Sequence, residues 1–170
     1  VTKRKTFNVN VKDGYVDLEG TDLNFAVVIN RYGKGTKALV VVENFYINRG
    51  AIATTYSHDS HNLTIVYKDP KDALVAANRV KEIAGGIVLV ENERVVREMP
   101  FPIAGMLSKK SAYELGEDIV QMNQVLRDYG IETTSPITRP STLSLIVIPE
   151  VKLSDVGLVD VINQKVIDQF

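Results

Sequence analysis

Two stretches of helical period, residues 70–84 and 112–129, interrupt a chain whose other apolar residues run in β-strand patterns. The order of these stretches limits the fold. Several strand-like runs come first, then a helix, a hairpin, a second helix and further strands. Parallel α/β folds need strands and helices to alternate, and here they do not. The order predicts an α+β fold: mixed, largely antiparallel sheet or sheets, with two main helices at about 70–84 and 112–129 packed on them. Composition is even from end to end, so residues 1–170 read as a single domain. A chain of this length can bury roughly 70% of its unfolded surface.

The helix ends are written in local chemistry. Asp69 can cap the first helix and Pro70 suits its first turn. Ala73, Ala76, Ala77, Val80, Ile83 and Ala84 recur at helical spacing, and the alanines predict close packing on a sheet. Gly85-Gly86 stops the helix. Ser111 and Glu114 have capping-box spacing. Leu115, Ile119, Met122, Leu126 and Tyr129 form one stripe behind them, and Gly130 ends it.

The strand signals are of two kinds. Thr6–Val11 alternates and predicts a half-buried strand, with a turn at Asp13-Gly14 and a return at residues 15–18. Phe25–Ile29 and Ala38–Val42 are continuous apolar runs, expected of strands buried on both faces. Gly50–Thr55, Leu63–Tyr67, Ile87–Val90 and Val95-Val96 are further candidates, the last two joined by a turn at 91–93. Leu143–Ile148 reads as a buried strand, and Leu158–Ile167 as one or two short ones.

Composition then excludes functions. No Cys is present, so disulfides, thiolate catalysis, iron–sulfur clusters and zinc fingers are out. The net charge is −1, which argues against nucleic acid or an anionic membrane as a bulk-charge partner. No apolar run nears the ~20 residues of a bilayer span. These features predict a cytoplasmic protein. The chain begins at Val1 and leads straight into a strand-like run, as expected of a piece of a longer protein.

The residues that could carry chemistry are few. Both histidines lie in Ser57-His58-Asp59-Ser60-His61-Asn62, a polar run between two apolar strands. Neutral imidazoles beside a carboxylate can ligate zinc, manganese or iron, move protons or bind a polar ligand. The same run can equally be a turn whose Asp, Ser and Asn satisfy backbone groups. A complete metal site is not expected. His58 and His61 are weak candidates, because a His-x-x-His pair on extended backbone points to opposite faces and a catalytic zinc site wants about three protein ligands. Arg49, just upstream, could hold a carboxylate or phosphate or close a turn. Gly33-x-Gly35 lacks the glycines and the following helix of a phosphate cradle. Pro100-Phe101-Pro102-Ile103-Ala104-Gly105 is a stiff apolar loop, either an interface or the rim of the core. Lys109 and Lys110 read as solvated.

Several of these segments together resemble the C-terminal domain of adenine deaminase, in the amidohydrolase superfamily. They are Arg49–Thr55, the run from Ser57 to Asn62, the helix Ala73–Ile83 with Gly85-Gly86-Ile87-Val88, the loop Pro100–Gly105, and Leu143–Val161. The resemblance spans residues 24 to 161. It implies a hydrolase of purine metabolism that turns adenine and water into hypoxanthine and ammonia. It further implies a divalent metal centre, manganese or iron, in a barrel that these 170 residues are too few to contain. No catalytic residue and no cofactor is then expected in this chain. His58, Asp59, Ser60, His61, Asn62 and Arg49 become candidates to face a ligand or an interface. The implied partners are the N-terminal barrel of the same protein and further copies in a homo-oligomer. Lys109-Lys110 and the lack of a proline before Pro149 depart from the pattern, which implies a divergent, deaminase-like branch. The runner-up function is a non-catalytic assembly or ligand-binding module.

Overall fold

A computed structural model describes residues 2–167. It contains a central six-stranded antiparallel sheet in the order β4-β3-β6-β5-β7-β8. The strands are β3 (Asn24–Ile29), β4 (Lys37–Val42), β5 (Ala51–Thr54), β6 (Leu63–Tyr67), β7 (Gly86–Glu91) and β8 (Arg94–Pro100). Helix α1 (Pro70–Glu82) covers one face. Helix α2 (Ala112–Asp128) and a three-stranded sheet cover the other. That smaller sheet comprises β9 (Val151–Ser154), β10 (Gly157–Asp160) and β11 (Lys165–Ile167). A separate hairpin joins β1 (Asn10–Lys12) to β2 (Tyr15–Asp17). The arrangement is the expected α+β fold with its two main helices on antiparallel sheets.

The helices end where local chemistry puts them. The Asp69 side chain accepts the Lys71 N–H at 2.7 Å, and Pro70 opens α1. Ala73, Ala76 and Val80 bury against Ala51, Ala53, Ile65, Val88 and Val90. Small side chains on the helix let it lie close to a sheet of β-branched residues. At the N-terminus of α2 the capping box closes in both directions. The Ser111 N–H donates to Glu114 Oε2 at 2.9 Å, and the Glu114 N–H donates to Ser111 Oγ at 3.3 Å. Met122, Leu126 and Tyr129 then pack on Ile52, Ile87, Leu89 and Met99 on the opposite face.

Three strand expectations need correction. Thr6–Val11 is a strand only from residue 10, and Val11 is 67% exposed. Among the described residues the hairpin pairs with no other strand, so it forms a two-stranded sheet apart from the core. Strand β4 is an edge strand rather than one buried on both faces, and Leu39 reaches solvent. Leu143–Ile148 is not a strand. Ser141–Leu143 is a 3-10 turn, and Ile146 and Val147 are exposed. Local bonds win there: Ser141 Oγ donates to the Thr138 carbonyl and the Leu143 N–H to the Pro140 carbonyl. The nearby sheet position is taken by β9, read as a strand only from the structure.

Candidate functional site

Strand β5 ends under a surface built from three loops. Its hub is Thr55, 2% exposed. The Thr55 hydroxyl accepts the Gly86 N–H at 2.8 Å and donates to the Gly105 carbonyl at 2.7 Å. One side chain thus ties the β5 end, the α1–β7 turn and the Pro-rich loop. The next turn is compact. The His61 N–H donates to the Ser57 carbonyl at 2.6 Å, and the Ser57 N–H donates to His61 Nδ1 at 3.4 Å. Ser57 is fully buried, its hydroxyl sharing hydrogen bonds with Thr64 and Ser144.

This turn corrects the expectation that the two imidazoles diverge. His61 has φ 48°, so the segment is not extended. The rings meet edge to face, with centroids 5.5 Å apart. Tyr56 packs on both, at 4.9 Å from His58 and 6.3 Å from His61, and Phe101 lies 6.3 Å beyond Tyr56. Burial, then the neighbouring His58, pushes the His61 ring below the usual 6.5, so it is neutral near pH 7.

Arg31, in the β3–β4 loop, locks the surface. Its Nε donates to the His61 carbonyl and its Nη2 to the Ala104 carbonyl at 2.6 Å. The guanidinium stacks 4.8 Å over Tyr32, whose hydroxyl donates to the Ser60 carbonyl at 2.9 Å. Asp155, in the β9–β10 turn, accepts from Asn30 and Thr36 of the same loop. Burial pushes the Asp155 carboxyl up, but these donors outweigh it and hold it below the ordinary value. Arg31, Tyr32, Tyr56 and Thr55 were not among the sequence candidates, because nothing in their spacing links residue 31 to residue 61 or residue 55 to residue 105.

The sequence candidates separate into three groups. His58, Asp59, Ser60 and His61 reach the surface. Asn62 is buried, 2% exposed, and its Oδ1 has no hydrogen-bond partner among the described residues. Arg49 lies at the opposite end of β5, away from the histidines. There its Nε pairs with Glu91 at 2.9 Å and its guanidinium lies 4.2 Å over Tyr129. The Pro-rich loop divides: Phe101 turns into the core, while Ile103 and Leu107 are exposed.

A divalent metal does not fit this surface. No group of three or more His, Cys, Asp or Glu side chains is gathered among the described residues. His61 Nδ1 is already engaged by a backbone N–H. No helix among the described residues is long and apolar enough to cross a membrane.

The model of the adenine deaminase C-terminal domain matches residues 1–165. The chain belongs to this family. It is 39% identical over 164 residues to the adenine deaminase of Brucella abortus, covering 95% of this chain and 28% of that protein. An adenine deaminase 2 of Shouchella clausii is 37% identical over 170 residues, 99% of this chain and 30% of that protein. An adenine deaminase 2 of Carboxydothermus hydrogenoformans is 35% identical over 164 residues, 95% and 29%. This adenine deaminase C-terminal domain thus spans under a third of the length of the curated relatives it matches.

Proposed function

We propose that this chain is the C-terminal domain of an adenine deaminase-like, metal-dependent hydrolase that converts adenine and water to hypoxanthine and ammonia, and that it is accessory to that chemistry. One contrast carries the reading. The family match covers residues 1–165, yet among the described residues no group of three or more His, Cys, Asp or Glu side chains is gathered to hold a metal. Hydrolytic metal centres need about three such ligands. The manganese or iron centre belongs to an N-terminal barrel of the same protein. The surface of His58 and His61 faces that barrel or a neighbouring copy in a homo-oligomer, with residues 1–170 acting as one domain. The net charge of −1 supports protein contacts rather than nucleic acid or membrane, and a cysteine-free composition supports a cytoplasmic setting.

The isolated 170-residue chain, assayed with added manganese or iron, is expected to show no adenine turnover. Robust turnover would refute the accessory role. In the parent enzyme, His58→Ala and His61→Ala are expected to lower kcat/KM or weaken assembly. His58→Ala should change folding stability by less than about 0.5 kcal/mol. His61→Ala, at φ 48° and losing the acceptor of the Ser57 N–H, should cost more. Unchanged activity and assembly would remove the surface from the function. A second reading, a purely assembling module, draws on exposed Ile103 and Leu107 beside the histidines. Sedimentation separates them: a strict monomer at high concentration weakens the assembly reading.

A further inference from the structure

A cleft that shares no lining residue with the histidine surface lies between β4, the N-terminal segment and the C-terminal sheet. Its volume is about 530 Å³, the size of a small-molecule site. Val40, Phe45, Leu143, Leu153 and Leu158 give it an apolar floor. Lys3, Lys5, Arg139 and Lys152 line it too. Its one carboxylate among the described residues, Glu43, is paired with Lys5 at 2.6 Å.

Lys152 is the anomaly. It is 3% exposed, and a lysine so deeply buried ordinarily has a carboxylate partner. Here its Nζ donates to Thr2 Oγ1 at 2.8 Å and to the Thr142 carbonyl at 2.7 Å, both neutral oxygens. Among the described residues it has no ion pair. Burial first, and the cation Arg139 second, push the ammonium down. Among the described residues Arg139 likewise meets a neutral oxygen and a ring, with no ion pair. Its Nη2 donates to the Asn44 carbonyl at 2.7 Å, and its guanidinium sits 5.8 Å from the Phe45 centroid. An ammonium has three N–H donors and a guanidinium five, so both retain donor capacity.

We propose that this cleft binds a small organic anion, its phosphate or carboxylate seated on Lys152 and Arg139 and its apolar body on the Phe45 and leucine floor. An anion supplies the charge compensation that neither cation has among the described residues, and charge-assisted hydrogen bonds are the strong ones. The apolar floor gives no reason to prefer a bare inorganic ion. The site shares no side chain with the histidine surface, so it stands whether or not that surface meets a barrel.

Titration calorimetry of the 170-residue chain at low salt tests this with phenyl phosphate, benzoate, inorganic phosphate and phenol. Saturable one-to-one binding of phenyl phosphate or benzoate is expected, about tenfold or more tighter than inorganic phosphate, with no binding of phenol. Which of the two binds better identifies the headgroup. Lys152→Met is expected to weaken binding about tenfold or more. Because that change also removes two buried hydrogen bonds, Arg139→Gln serves as the second variant, expected to weaken binding several-fold in a chain whose circular dichroism is unchanged. The proposal fails if neither organic anion binds up to ~10 mM, if inorganic phosphate binds as tightly as both, or if folded Arg139→Gln binds like the parent chain.

Discussion

Arg49 and His61 flank the same four-residue strand, β5, roughly 13 Å long, and their side chains are engaged in different ways. At the Arg49 end the charges are consumed. Arg49 pairs with Glu91, and the Tyr129 hydroxyl donates to that same carboxylate at 2.6 Å. Lys68 nearby donates to the Thr21 and Leu23 carbonyls. At the histidine end the backbone is held, by Arg31 and Thr55, while no ion pair among the described residues involves either ring. A site whose side chains satisfy one another is built for stability. One whose frame is fixed while the His58 ring makes no hydrogen bond or ion pair among the described residues fits the contact surface proposed above. That difference, and not the residue types, puts the candidate function at the histidine end.

Substitutions can break this comparison, and the largest effect is expected at the Arg49 end. A Cβ on Gly50 would sit 2.3 Å from the Val90 carbonyl oxygen, inside the β5–β7 ladder, at φ 71°. Gly50→Ala is therefore expected to cost about 3 kcal/mol or more in urea unfolding. Gly105→Ala, at the histidine end and at φ 74°, meets the end of the Arg31 side chain at 2.8 Å rather than backbone, so it should cost less than Gly50→Ala while loosening the Arg31 contacts. Equal costs would mean both ends are equally rigid.

Thr55→Val comes next. It keeps the shape but leaves the Gly86 N–H and Gly105 carbonyl without the hydroxyl, for a loss of about 2 kcal/mol. Hydrogen exchange should then speed up at residues 57–61 and 103–107 but not around Arg49. Uniform acceleration would contradict a local hub.

Tyr129→Phe is expected to cost about 1 kcal/mol. It carries a pH signature as well. Burial first, and Glu91 second, push the phenol up to about 12 from an ordinary 10.0. The folded chain thus holds this proton more tightly than the unfolded chain. That share of stability is intact below pH 10 and is lost as pH rises through about 12. The alkaline loss should shrink in Tyr129→Phe.

The smallest effect is at His61, whose ring is held below 6.5 in the folded chain. The neutral ring is favoured there, so its contribution is present above pH 6.5 and fades as pH falls below it. Urea midpoints of His61→Gln should fall less than those of the parent chain between neutral pH and about pH 5. Identical profiles would show that the ring does not sense the fold.

Much of this was legible in residue order. Asp69-Pro70, Ser111 with Glu114, and Gly85 and Gly130 set helix ends through bonds spanning a few residues, so local sequence was enough. Leu143–Ile148 misled because an apolar run says nothing about whether a sheet edge is available, and here hydroxyl and proline geometry held it in turns. The histidine loop was visible as a polar run, but its ring contact was not: the turn at His61 depends on the Ser57 carbonyl and on Arg31, thirty residues upstream.

The sequence alone determined the α+β class, the two capped helices, the family and the absence of thiol chemistry, since period, capping and composition are short-range or global properties. Only the tertiary structure decided that Arg49 and the histidines sit at opposite ends of β5, that Arg31 frames the histidine surface, and that Lys152 is buried on two neutral oxygens with no ion pair among the described residues. Those facts come from contacts between residues up to 150 positions apart, which the folding of the sheet brings together and linear spacing does not encode.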